Sequence, residues 1–129
     1  MKIEHIALWA QNIEVLKSFY EKYFNAKSNK KYSNPNKKFS SYFLSFGSDT
    51  RLEIMQMPFE QNAKKNRTDQ FLGYAHLAIS VGSEEMVNSL TSKLFDDGYK
   101  VLDGPRRTGD GYYESVVLDP ENNRVEITI

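Results

Sequence analysis

The segment Ile3-Glu4-His5-Ile6-Ala7-Leu8-Trp9 returns in outline at Tyr74-Ala75-His76-Leu77-Ala78-Ile79-Ser80. Each holds a histidine, then an aliphatic residue, an alanine and a second aliphatic residue. A second pair follows in the same order, Arg51-Leu52-Glu53-Ile54 and Arg124-Val125-Glu126-Ile127. Glu53 stands 48 positions after His5, and Glu126 stands 50 positions after His76. Two different motifs recurring in one order at nearly one separation mark two copies of a single unit. The copies span about 1–57 and 74–129, and the stretch of about 58–73, which opens on Pro58 and is mostly polar, reads as their connection. A chain of 129 residues suits one domain built from both copies.

The elements inside the copies agree. Each opens on an alternating strand, 2–9 and 74–81. In the first copy Asn12 is the expected helix cap, and Ile13, Leu16, Phe19, Tyr20, Tyr23 and Phe24 recur at helical spacing. In the second, Ser83 caps, Glu84 and Glu85 suit the positive end of the helix, Val87, Leu90 and Leu94 form the apolar stripe, and Asp97-Gly98 stops it. Strand-like runs follow at 27–32, 39–46 and 50–57, and again at 99–102, 112–118 and 123–129. Each copy therefore reads strand–helix–strand–strand–strand, an α+β arrangement.

Side chains alternate between the two faces of a strand. His5, Ala7 and Trp9 oppose Ile6 and Leu8, and His76 and Ala78 oppose Leu77 and Ile79. Glu53 opposes Leu52 and Ile54, and Glu126 opposes Val125 and Ile127. The aliphatic face is the natural seat for the helices, which leaves both histidines and both glutamates on the other face. Imidazole nitrogens and carboxylate oxygens in that number suit one divalent transition metal, Ni²⁺, Zn²⁺ or Co²⁺, with Fe²⁺ or Mn²⁺ also accommodated. A single strand histidine is ordinarily structural. The chain has only two, however, and they occupy equivalent places in the repeat.

Other functions are excluded by composition. Lys plus Arg and Asp plus Glu are 17 each, so no basic excess is available for nucleic acid or an anionic membrane surface. With no cysteine there is no disulfide, thiolate metal site or thiol nucleophile. No apolar run approaches the roughly 20 residues of a membrane span. The first residues lack the apolar stretch of a signal peptide, and a cytoplasmic location is expected. Gly104-Pro-Arg-Arg-Thr-Gly-Asp-Gly111 reads as a glycine-rich loop whose Arg106 and Arg107 are placed to hold an anionic group. It lacks the Gly-Lys-[Ser/Thr] of a phosphate loop. Trp9, Met55, Tyr112 and Tyr113 are candidate substrate contacts.

These motifs resemble the vicinal oxygen chelate superfamily, the glyoxalase–bleomycin resistance–dioxygenase group. The resemblance is carried by His5-Ile-Ala-Leu with Phe19-Tyr20 in the helix after it, by Tyr74-Ala-His76-Leu-Ala-Ile-Ser-Val, and by Leu118-Asp-Pro-Glu-Asn-Asn-Arg-Val-Glu126-Ile. It implies tandem βαβββ modules whose mixed sheet forms a cup around a metal, with the helices on the outer face. It implies His5, Glu53, His76 and Glu126 as ligands, matching the two-His, two-Glu set of glyoxalase I. Extradiol dioxygenases and fosfomycin thiol transferases use two His and one Glu, and bleomycin-binding relatives lack the ligands. The expected activity is therefore that of a lyase or isomerase acting on a small vicinal-oxygen substrate. Glu126 is the expected base and Glu53 the second choice. A dioxygenase, a thiol transferase or a non-catalytic resistance protein are the alternatives. The resemblance also implies a homodimer. Glyoxalase I typically has arginine where Trp9 stands, so poor turnover of a glutathione adduct is expected.

Overall fold

The computed structural model describes residues 3–58 and 73–129 of the chain. It has two helices and two mixed sheets, an α+β fold. The contacts divide into two compact units, one on each side of the connection. The expected connection over 58–73 falls, except for its two end residues, outside the described residues.

The first unit runs β1 (His5–Trp9), α1 (Ile13–Phe24), β2 (Lys27–Ser28), β3 (Tyr32–Asn34), a 3-10 turn at Pro35–Lys37, β4 (Phe39–Ser45) and β5 (Arg51–Gln56). Its sheet has the order β1-β5-β4-β2, with β3 also on β4. The β1–β5 pair is parallel, and the others are antiparallel. The run expected as one strand over 27–32 is two short pieces along the same edge of β4. Between them Asn29 replaces ladder bonds, its side chain accepting from the Phe43 N–H at 2.8 Å while its own N–H donates to the Phe43 carbonyl at 3.0 Å.

Helix α1 begins where expected because the Asn12 side chain accepts from the N–H groups of Glu14 and Val15, two of the donors that a first turn leaves unbonded. It ends at Asn25, which adopts the left-handed conformation of a helix stop. The helix buries Ile13, Leu16, Phe19, Tyr20, Tyr23 and Phe24 against Tyr42, Leu44, Leu52 and Ile54 of β4 and β5. Glu53, between the last two in sequence, therefore points away from the helix.

The second unit repeats the plan: β6 (Leu77–Ser80), α2 (Glu84–Asp96), β7 (Val101–Arg107), β8 (Tyr113–Leu118) and β9 (Arg124–Thr128), in the order β6-β9-β8-β7. Ser83 caps α2 by accepting from Met86 N–H, and Gly98 at φ +90° ends the turn beyond it. Val87, Thr91 and Leu94 pack on the buried Ser115, Val117, Val125 and Ile127. Strand β6 is shorter than the expected 74–81, and His76 immediately precedes its first paired residue, Leu77. Among the described residues no helix is long and apolar enough to cross a membrane.

One expectation needs correction. Residues 104–107 are not loop but the second half of β7, where Arg106 pairs Glu114 and Arg107 pairs Tyr113 across the ladder. The glycine belongs to an irregularity in that strand. Gly104 has φ +73°, and an added Cβ would stand 2.5 Å from the Glu114 carbonyl oxygen, so no side chain fits there. The turn itself is confined to residues 108–112.

Candidate metal centre

Each unit brings one histidine to one glutamate. In the parallel ladders Ala7 pairs Glu53 and Ala78 pairs Glu126, so each histidine lies two residues before its glutamate's partner, on the same face. His5 Nε2 is 3.8 Å from Glu53 Oε2, and His76 Nε2 is 3.4 Å from Glu126 Oε2. Two donors that each lie about 2.1 Å from one ion stand roughly 3.0–3.4 Å apart, for right-angled to tetrahedral placement. The two pairs are therefore near the separation at which each could grip one metal. Both glutamate side chains are only 16% exposed, while the imidazoles are 40% and 44% exposed, so the carboxylates form the floor and the rings the rim. Among the described residues no group of three or more His, Asp or Glu side chains forms a ready cage, and each unit contributes a pair.

The surroundings of the pairs differ. His5 Nδ1 meets Glu4 Oε2, and the other Glu4 oxygen meets the Arg51 guanidinium. These two contacts, His5 first, hold the Glu4 carboxyl below its ordinary range. The Phe43 ring stands edge-on to His5 at 5.3 Å, and the Arg51 guanidinium lies 4.2 Å over the same ring. Trp9 is half exposed and stands edge-on to Phe39 at 6.1 Å, and Phe39 in turn meets Tyr32 at 6.1 Å.

In the second unit the neighbour is another acid. Glu114 on β8 and Glu126 on β9 share a face, because Glu114 pairs Thr128 and Val116 pairs Glu126. Burial raises the Glu114 pKa, and the charge of Glu126 and a hydrogen bond to it raise it further. An open recess of about 430 Å³ lies beside this pair, lined by His76, Leu102, Asp103, Arg106, Glu114, Val116 and Arg124. Sequence reasoning missed Glu114 and Asp103. Glu114 points at Glu126 only through the β8–β9 register, which the sequence of β8 does not show by itself.

The candidate anion-holding arginines are already engaged. Arg106 Nε donates to Asp103 Oδ2 at 2.9 Å. Arg107 pairs Glu84 and donates to the Gly111 carbonyl at 3.0 Å. Tyr113 donates to Asn88 Oδ1 at 2.8 Å, whereas Tyr112 is largely exposed.

A sequence model of the Glyoxalase/Bleomycin resistance protein/Dioxygenase superfamily matches residues 2–127. The chain belongs to that superfamily. Solved structures with this fold include a glyoxalase I variant from Zea mays, 19% identical at TM-score 0.78 over 98% of this chain, which spans 44% of the maize chain's length. A trypanothione-dependent glyoxalase I from Leishmania major is 21% identical at TM-score 0.75, with 99% of this chain and 86% of that one covered. A fosfomycin resistance protein from Listeria monocytogenes, crystallised with Mn(II) and a dihydroxypropylphosphonic acid, is 19% identical at TM-score 0.73, with 98% and 90% covered. No functionally curated protein matches the sequence. In this superfamily chain the two βαβββ modules are the two units described above, and the paired His and Glu occupy matching register positions in both.

Proposed function

We propose that this superfamily member is a metal-dependent isomerase or lyase acting on a small molecule with two neighbouring oxygens. His5, Glu53, His76 and Glu126 are the metal ligands in this reading, one imidazole–carboxylate pair from each unit. The observation that carries the reading is the doubled imidazole–carboxylate pair at equivalent ladder positions, with spacings of 3.8 and 3.4 Å. Two imidazoles and two carboxylates suit Ni²⁺, Zn²⁺ or Co²⁺, and also Fe²⁺ or Mn²⁺. Such an ion, when bound, polarises the two substrate oxygens and stabilises negative charge that develops on them. The second glutamate, Glu53, favours the isomerising reading over the dioxygenase and thiol transferase alternatives, whose resemblance calls for one.

The proton work falls to the carboxylates. Glu126 is the base that takes a proton from the carbon beside the polarised oxygen, with Glu53 as the second choice. Glu114 shares the sheet face of Glu126, and burial together with the charge of Glu126 raises its pKa. Both carboxylates sit under the imidazole rim, where limited water strengthens their interaction with a bound cation. Each sheet ends on two edge strands, and covering such edges by a second copy of the chain favours a homodimer.

The test is metal analysis of protein purified without a polyhistidine tag. About one divalent ion per chain is expected, and His5→Ala and His76→Ala each reduce it sharply. Undiminished uptake in both variants overturns the ligand assignment. Metal-loaded Glu126→Gln should keep its ion and lose exchange of the substrate's α-proton in deuterium oxide.

A further inference from the structure

Glu4 is not a member of the repeated motif. It precedes β1, and its place in the second unit is taken by Ala75, which offers no side-chain acceptor. Its carboxylate is nevertheless built into the first half-site at both oxygens. Oε2 faces His5 Nδ1 and Oε1 faces the Arg51 guanidinium. The backbone is tied to the same place, since Arg51 N–H donates to the Glu4 carbonyl at 3.0 Å and the Thr50 hydroxyl donates to the Ile3 carbonyl at 3.0 Å. The Arg51 guanidinium also lies 4.2 Å over the Phe43 ring, and that ring stands edge-on to His5. The segment Glu4–His5 and the residues Phe43 and Arg51 therefore form one interlocked group.

A neutral imidazole has one N–H and one bare nitrogen, and the hydrogen bond at one fixes the other. The Nε2 of His5 is the atom turned toward Glu53. We propose that Glu4 is a positioning residue: it accepts the Nδ1–H of His5, orients the ring, and leaves Nε2 bare to act as the donor atom. Carboxylates placed in this way raise the basicity of a ligating imidazole. The consequence for metal affinity rests on the ligand assignment proposed above, whereas the control of the tautomer does not. The two half-sites then differ in kind. His5 is set by a carboxylate from the residue before it, and before His76 the sequence has Ala75, which offers no such carboxylate.

The test uses the metal-free chain labelled with ¹⁵N. Two-bond proton–nitrogen spectra recorded at about pH 8.5, above the ordinary imidazole range, report the tautomer of each histidine. The unmutated chain is expected to show His5 with its proton on Nδ1. Glu4→Ala moves the proton to Nε2 in most molecules and leaves the His76 signals unchanged, and Glu4→Gln, whose amide oxygen still accepts, keeps it on Nδ1. In competition titrations with Zn²⁺ alone, Glu4→Ala binds about 10–100-fold more weakly and Glu4→Gln recovers part of the loss. An unchanged His5 tautomer in Glu4→Ala overturns the proposal. Failure of the unmutated chain to take up Zn²⁺ overturns the metal reading instead, and the tautomer measurement still decides the role of Glu4.

Discussion

The two units have the same hydrogen-bonded skeleton and different fillings. Ala7 pairs Glu53 and Ala78 pairs Glu126 in parallel, while Phe43 and Val116 oppose the same two glutamates in antiparallel. The Ala10 N–H donates to the Met55 carbonyl at 2.8 Å, and the Val81 N–H donates to the Thr128 carbonyl at the same distance. Beneath this match, α1 buries six side chains, four of them aromatic, and α2 buries three, one of which is the hydroxyl-bearing Thr91. The first core is held by rings in contact, the second by aliphatic packing plus a buried hydroxyl pair. Backbone register decides where the His and Glu stand, so it recurs. The filling needs only the right volume and satisfied polar groups, so it differs.

The largest expected effect is in the first core. Phe19 touches the rings of Tyr20, Tyr23 and Phe24 at 5.2–5.8 Å and is almost fully buried. Phe19→Ala should cost about 3–5 kcal/mol in urea unfolding, and Leu94→Ala in the second core about 2–5 kcal/mol, with the larger loss at Phe19. A loss at Phe19 smaller than that at Leu94 would overturn this ranking, since the larger ring leaves the larger cavity.

The hydroxyl pair is the next test. Thr91 Oγ1 donates to the Val87 carbonyl at 2.6 Å, so the Ser115 hydroxyl is the one that donates to Thr91, also at 2.6 Å. Thr91→Val leaves the buried Ser115 without this partner and should cost about 1–3 kcal/mol. Adding Ser115→Ala should recover part of that, since both polar partners are then gone. A double variant no more stable than the single one would show that Ser115 finds another partner.

The smallest effect lies on the surface of the first unit. A hydrogen bond from Lys31, and after it one from the Tyr42 hydroxyl, lower the Glu14 pKa. A carboxyl depressed in the folded state contributes stability above its unfolded value, about 4.3, and loses it as pH falls through the folded value. The side chain is half exposed, so the contribution is below about 1 kcal/mol after screening. Comparing Glu14→Gln with the unmutated chain, the stability difference at pH 7 should shrink as pH falls below about 4. A difference that persists at pH 2 would assign the effect to packing.

Much of the architecture was legible in the sequence because it is written in short-range patterns. Asn12 and Ser83 were readable as caps, since capping needs only a side-chain oxygen two or three residues before an unbonded N–H. The opposition of Glu53 to Leu52 and Ile54 follows from strand alternation alone. Reading 104–107 as a loop failed because glycine and proline usually interrupt a strand, and here the ladder absorbs Gly104 as an irregularity opposite Glu114 and Ser115. The split of 27–32 escaped because the contact that breaks it, Asn29 with Phe43, joins residues 14 positions apart.

The sequence by itself determined the repeat, the two helices with their caps, and the shared face of each His and Glu, because periodicity and local hydrogen bonding depend on near neighbours. Tertiary structure alone decided the electrostatic company each candidate ligand keeps. Glu4 reaches Arg51 across 47 positions, Glu114 meets Glu126 only through the β8–β9 register, and Arg107 finds Glu84 from the far end of another element. Charges act through space over a few ångströms, so which groups bias a histidine or a glutamate is set when distant strands are brought side by side.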